Sequence, residues 1–150
     1  MQTTAVLNNC TLCLIKPHIL KDAQAGEVID MILAAGFEIS AMEIFQMSRA
    51  VIEEFYCVYK GVIPEYLPII ENFTSGPTLA LEIRQQNAVN SFRELCGPHD
   101  PEIAKHLRPE TIRAKFGLDR VRNAVHCTDM SEDGCLEVRY FFELLQKHQF

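Results

Sequence analysis

Short β-capable runs alternate with helically patterned stretches along this chain, and their order constrains the fold more than any other feature. Cys10 to Ile15 (CTLCLI) is apolar and ends at Lys16-Pro17, where proline restricts the preceding backbone, so Lys16 is expected at a strand end. Val28, Ile29, Ile32 and Leu33 recur at helical spacing and stop at Gly36. A second strand is expected over Phe37 to Met47, opening on the alternation of Phe37, Ile39 and Ala41. Ser48 is placed to cap a helix carrying Ile52, Phe55, Tyr56 and Tyr59, and a further helical piece is expected from about Glu65 to Phe73, with Pro68 in its first turn. After Ser75-Gly76-Pro77, the residues Leu79, Leu81 and Ile83 mark a third strand; Asn87 then caps a helix with Ala88, Phe92 and Leu95 on one face, closed by Gly97-Pro98. Pro98, Pro101 and Pro109 predict a long loop, with at most a turn around Glu102 to Leu107. Ala124 to Cys127 is the fourth strand, followed by the polar turn TDMSEDG and a final helix whose apolar stripe is Leu136, Tyr140, Phe141 and Leu144. The order predicts an α+β fold, a ferredoxin-like βαββαβ antiparallel sheet with helices on one face.

A chain of 150 residues, 48% hydrophobic and 23% charged, is the size of one domain able to bury a core without disulfides or a structural metal. Residues 1–9 read as a lead-in and 10–150 as the domain. The start lacks a basic stretch followed by an apolar one, and no apolar run approaches the ~18 residues of a membrane span, so a soluble, cytoplasmic protein without a membrane partner is expected. The six cysteines lie scattered in apolar segments and read as reduced thiols. Cys10 and Cys13 form a CxxC, but three-residue spacing on a strand sends them to opposite faces, and no second CxxC completes a zinc site. Asp129, Glu132 and Asp133 read as helix-dipole and capping residues and are assigned no metal. Net charge −6 and the lack of a basic-aromatic RNP-like octapeptide argue against nucleic acid. Any anion site must be local.

One such local constellation surrounds His126 in RNAVHCTD: Arg122 and Asn123 precede it, Arg113 lies upstream in TIRAKFG, and Glu137 follows on the final helix. Phosphoryl transfer needs cations that hold phosphates and a positioned nucleophile, and an imidazole with an unperturbed pKa of about 6.5 is substantially neutral near pH 7. A carboxylate on the second ring nitrogen would fix tautomer and orientation, and Glu137 is the candidate. Taken singly these residues have plainer readings: His126 as a hydrogen-bonded core residue, Lys16 as a surface charge at a strand end, Tyr56 as core, and Glu137 as an exposed carboxylate.

Asn123, His126, Cys127, Thr128 and Asp129 resemble the NxxH signature of nucleoside diphosphate kinases. Supporting matches follow in order: Ile15 to Pro17, Gly36-Phe37, Tyr56, Ser75 to Pro77, the Arg93 helix ending at Gly97, and Thr111 to Arg113. The stretches AGFEISAM, DPEIA, HLRP and AVHCTD are similar to the second domain of a two-domain member associated with centrosomes and cilia. The resemblance implies a phosphorylated nucleophile at His126, oriented by Glu137, with Lys16, Tyr56, Arg93 and Arg113 around the phosphates and Lys16 and Asn123 at the ribose. Substrates would be nucleoside tri- and diphosphates exchanged in a ping-pong reaction, with Mg²⁺ carried in by the nucleotide. His18, His99 near a phosphate-contacting position, the segment Val62 to Tyr66 and Arg120-Val121 depart from the usual pattern, leaving Tyr66 or Ile69 to take the place of the base-stacking phenylalanine. The alternative implied is an interaction domain of low or no activity at the cytoskeleton, centrosome or cilium, with microtubule or γ-tubulin complex components as partners. Assembly is expected as a homo-oligomer or with a second kinase domain.

Overall fold

The computed structural model describes residues 9–148, so the lead-in 1–9 lies outside the described residues except for Asn9. Four strands, β1 (Cys10–Ile15), β2 (Glu38–Phe45), β3 (Thr78–Arg84) and β4 (Val125–Cys127), form one antiparallel sheet in the order β2-β3-β1-β4. The ferredoxin-like order expected from the sequence is present.

Central β1 is buried at every position, which explains why it reads as a continuous apolar run instead of an alternation. Its even-numbered residues Cys10, Leu12 and Leu14 enter one core with Phe45, Ile52, Phe73 and Phe141, while Cys13 and Ile15 enter another with Ile32, Phe92 and Ile112. The CxxC cysteines thus point to opposite faces.

The two crossover helices α2 (Ala25–Ala34) and α5 (Ala88–Cys96) share the second face with the short α1 (Pro17–Lys21). The helical excursion α3 (Arg49–Phe55) and α4 (Tyr66–Thr74), with the C-terminal α8 (Gly134–Arg139), covers the first. The sheet is therefore sandwiched, not covered on one face as expected, because the additions to the βαββαβ frame supply a second helical layer.

Ser48 caps α3 as expected, its hydroxyl accepting from the Val51 N–H. Asn87 stands at the start of α5 in the left-handed conformation (φ 56°), and its side chain makes no backbone cap. The region expected as a loop contains a real helix, α6 (Pro101–Leu107), and a second short one, α7 (Ile112–Phe116), follows it. Pro101 does not break α6 but begins it, and Asp100 caps it by accepting from the Glu102 N–H. After α8 the backbone passes into a π-turn over Tyr140–Leu145. The buried stripe is consequently Val138, Phe141 and Phe142, while Leu136 and Leu144 are exposed.

Candidate active site

Edge strand β4 is only three residues long and pairs with β1 so that His126 stands opposite Leu14 and Cys127 opposite Cys13. Strand alternation then sends the imidazole to the first face, toward α3 and α8, and the thiol to the second, toward α5 and α7. The imidazole is 6% exposed.

Its two nitrogens meet different partners: Nε2 lies 2.7 Å from Glu137 Oε1 and Nδ1 lies 2.9 Å from the Tyr56 hydroxyl. An ionised carboxylate only accepts, so Nε2 carries the proton and Nδ1 keeps its lone pair, which accepts the Tyr56 O–H. Burial foremost, then Tyr59, holds the Tyr56 phenol well above its ordinary pKa, so it remains a donor. Glu137 is steadied in turn by the Thr128 hydroxyl at 3.1 Å, which accepts from Thr11 on β1 at 3.0 Å. Phe55 closes the far side of the ring, edge-on at 5.3 Å between centroids.

Lys16, expected at a strand end, is 2% exposed and not a surface charge. Its ammonium donates to Asn123 Oδ1 at 2.7 Å and to the Val121 carbonyl at 3.1 Å. Burial, and after it the nearby Arg113, pulls its pKa down to about 7. Asn123 completes the link by donating to the His99 carbonyl at 3.1 Å. Partial burial and then Arg113, Lys16 and Arg120 bring His99 down to about 4, so its ring is neutral near pH 7. His18 is lowered to about 4 as well, by burial and then Lys16, and its Nε2 accepts from the backbone N–H of Ala124, a residue at φ 78°. This non-standard histidine thus braces the turn that launches β4.

Arg113 lies almost fully buried and donates to the carbonyls of Gly97 at 2.9 Å and Val125 at 3.0 Å. Arg93 reaches from the surface of α5 to the Asp129 carbonyl at 2.8 Å. Two adjoining cavities share His99, Arg113, Cys127 and Asp129: one of about 190 Å³ beside His126, Lys16 and Tyr56, and one of about 470 Å³ beside Arg93, Arg108 and Arg113. Phosphate groups suit the arginine side, and the apolar Ile63 and Ile69 are among the residues lining the smaller cavity. Tyr66 lies in the core beneath and is not among the residues lining either cavity.

Three features of this cleft escape the sequence. The Tyr59 hydroxyl donates to the Asp129 carboxylate, so Asp129 is not a capping residue, and Asp133, although at the N-cap position of α8, makes no side-chain capping bond. Arg120 pairs with Glu65 at 3.1 Å, tying the start of α4 to the loop before β4. Cys127 borders both cavities. The spacing of Tyr56 and Tyr59 reads as a helical core stripe, and no local pattern points to either contact.

The family model for nucleoside diphosphate kinase matches residues 9–146, nearly the whole chain. The chain belongs to the nucleoside diphosphate kinase family. It is 56% identical to nucleoside diphosphate kinase homolog 7 of Rattus norvegicus over 142 residues, which are 95% of this chain and 36% of the rat protein. The mouse homolog 7 is 54% identical over the same shares, so the chain spans little more than a third of the curated relatives it most resembles among these. A single-domain comparison is the nucleoside diphosphate kinase of Aquifex aeolicus, 32% identical over 91% of this chain and 95% of that one. The crystal structure of that enzyme superposes with a TM-score of 0.85, covering 91% and 96% of the two chains. This nucleoside diphosphate kinase domain therefore shares fold as well as sequence with its relatives.

Proposed function

We propose that this domain transfers the γ-phosphoryl group of a nucleoside triphosphate to a nucleoside diphosphate through a phosphohistidine on Nδ1 of His126. The observation that carries the reading is the divided hydrogen bonding of the imidazole: Nε2–H is committed to Glu137, and Nδ1 offers its lone pair in a cavity also lined by Lys16 and Arg113. In the first half-reaction the Nδ1 lone pair forms an N–P bond while the bond from phosphorus to the bridging oxygen breaks, and the diphosphate leaves with that electron pair. A terminal oxygen of the second diphosphate then attacks the same phosphorus and the N–P bond breaks. Tyr56 must release Nδ1 for attack, which frees its O–H to donate to a phosphoryl oxygen. Glu137 stabilises the charge on the ring while it is bonded to phosphorus. Lys16, Arg113 and Arg93 neutralise the phosphates, Asn123 and Lys16 meet the ribose hydroxyls, and the base lies toward Ile63 and Ile69, with His99 between the two ends. Tyr66 supports that wall from the core.

Mg²⁺ suits this donor set as a partner of the nucleotide: among the described residues no group of three His, Cys, Asp or Glu converges on one point, and Asp129 is the carboxylate on the cavity wall. Bound there, it would screen phosphate charge.

Incubation with γ-labelled ATP followed by a GDP chase tests the reading. The expected result is an acid-labile label on the protein, mapped to the peptide holding His126 and passed to GDP. No label with ATP and Mg²⁺ present would overturn it.

A second reading has its own support. The cavity at His126, at about 190 Å³, is below the usual ~300 Å³ of a small-molecule pocket, and the Tyr59–Asp129 and Arg120–Glu65 contacts tie its surroundings together. An interaction domain of low activity, serving microtubule or γ-tubulin complex components at a centrosome or cilium, would show no label while still binding such a partner. Either reading accommodates a homo-oligomer or a second kinase domain as neighbour.

The kinase reading makes a pH prediction. With Lys16 near pKa 7 in the free protein, an arriving polyphosphate raises that pKa, so binding takes up a proton above pH 7. Affinity for ADP is expected to be greatest below pH 7 and to fall as pH rises through it. For folding the sign is opposite: between about 7 and the unfolded value of 10.5 the unfolded chain holds the extra proton, so this residue favours the fold more as pH rises. Calorimetry of ADP binding at pH 8 in two buffers of different ionisation enthalpy would show the uptake, and Lys16→Met would abolish it.

A further inference from the structure

The mechanism leaves one set of nucleophilic side chains unused, on the face of β4 opposite the imidazole. Cys127 stands next to His126 in the chain, yet its thiol turns toward α5 and α7, where its sulfur is 3.8 Å from Arg113 Nη2. It shares one buried cluster with Cys96, the last residue of α5, and with Cys13, its register partner on β1. Because β4 is a short edge strand, Cys127 borders both cavities although only 6% of its surface is exposed. Cys96 and Cys13 are fully buried.

We propose that Cys127 and Cys96 form an oxidant-reactive thiol pair in the wall of the cleft, closed to a reversible disulfide by a peroxide-class oxidant that enters through the larger cavity. The guanidinium of Arg113 favours thiolate character on the sulfur that borders the cavities, and Cys96 in the same buried cluster supplies the resolving thiol. The ionisation of the pair agrees in direction: Cys96 and then Arg113 lower Cys127 against the effect of burial, while burial raises Cys96. In the first step the Cys127 thiolate attacks one peroxide oxygen, the O–O bond breaks, and hydroxide leaves to become water, giving a sulfenic acid. The Cys96 sulfur then attacks the Cys127 sulfur, the S–O bond breaks, and the Cys96 proton leaves with the hydroxyl as a second water. Two thiols and one hydrogen peroxide give one disulfide and two waters.

A second thiol pair serves as an internal comparison. Cys10 and Cys135 pack in one cluster on the other face of the sheet, but burial and then Cys135 push Cys10 up to about 12, and neither residue lines a cleft cavity. Exposed Cys57 reports whether oxidant was delivered at all.

The test uses the intact chain and reads thiols, so it is independent of whether the domain transfers phosphate. Hydrogen peroxide at sub-millimolar concentration, followed by differential alkylation and peptide mass spectrometry, is expected to give a Cys96–Cys127 linked peptide that dithiothreitol removes, in preference to any Cys10–Cys135 link. Cys96→Ser is expected to leave Cys127 as a sulfenic acid trapped by dimedone. Cys127→Ser is expected to leave Cys96 reduced. Oxidation of Cys57 with Cys96 and Cys127 both still reduced would overturn the proposal, and so would a stable sulfenic acid at Cys127 of the unaltered chain with no link to Cys96.

Discussion

His126→Ala is expected to remove the acid-labile label and slow phosphoryl exchange by a factor on the order of 10⁴ or more, since no other side chain can take over a covalent nucleophile's role. The reason lies in the particular geometry: Tyr56 and Glu137 act on the two ring nitrogens and have nothing to act on once the ring is gone. In the proposed mode Lys16, Arg113 and Asn123, not His126, hold the nucleotide, so binding of ADP is expected to change by less than about tenfold. The substitution strips one hydrogen-bond partner from each of Tyr56 and Glu137, at a cost of about 1–3 kcal/mol. Glu137 keeps its bond from Thr128, which holds the loss toward the lower end. A domain with the ordinary stability of about 5–15 kcal/mol stays folded through such a change. Loss of label with ADP binding retained separates the chemical role from a structural one; exchange within a few-fold of the unaltered protein would remove His126 from the reaction.

Much of this arrangement was legible in the chain because it rests on short-range pattern. Strand β1 announces itself by its apolar run, and the strand-turn-helix spacing from His126 to Glu137 brings the two within 2.7 Å. Lys16 before a proline was correctly placed at a strand end, but its burial was not foreseeable, since that depends on Asn123 and Val121 more than a hundred residues away. The same holds for the contacts across the cleft. Tyr59 and Asp129 are 70 residues apart, one read on a helical stripe and the other at a helix start, and neither local pattern points to the other. Glu65 and Arg120 lie in two segments that depart from the family pattern, and only the folded chain shows that an ion pair joins them. Prolines misled in one place: Pro101 reads as a breaker, whereas Asp100 supplies the missing cap and α6 forms behind it. Helical periodicity misled in another, because the π-turn after Arg139 rotates the stripe and exchanges Leu144 for Phe142 in the core.

The same dependence of chemistry on backbone makes Gly97→Ala the largest expected stability change. Gly97 ends α5 at φ 82°, ψ −175°, a conformation that is essentially confined to glycine. An added Cβ would lie 2.4 Å from Thr111 Oγ1 and 2.7 Å from Thr111 Cβ. Thr111 is buried and its hydroxyl donates to the Arg108 carbonyl at 2.8 Å, so it cannot turn aside without losing that bond. Backbone strain of about 1–3 kcal/mol and overpacking of about 1–3 kcal/mol together give a loss of roughly 4 kcal/mol, or roughly 10 °C in Tm for a chain of this size. Gly26→Ala is the matched control: it lies in the first turn of α2 with no atom within 4 Å of the new Cβ, and is expected to be neutral or slightly stabilising. The damage at Gly97 reaches the cleft through one bond, because its carbonyl accepts from Arg113 Nη1 at 2.9 Å and fixes that guanidinium between the two cavities. Below its lowered Tm the Gly97→Ala protein is therefore expected to bind ADP more weakly than the Gly26→Ala protein. A Tm within about 2 °C of the unaltered chain, which at this size corresponds to under 1 kcal/mol, would show that Thr111 yields freely and that the close approach of Gly97 does not set the position of Arg113.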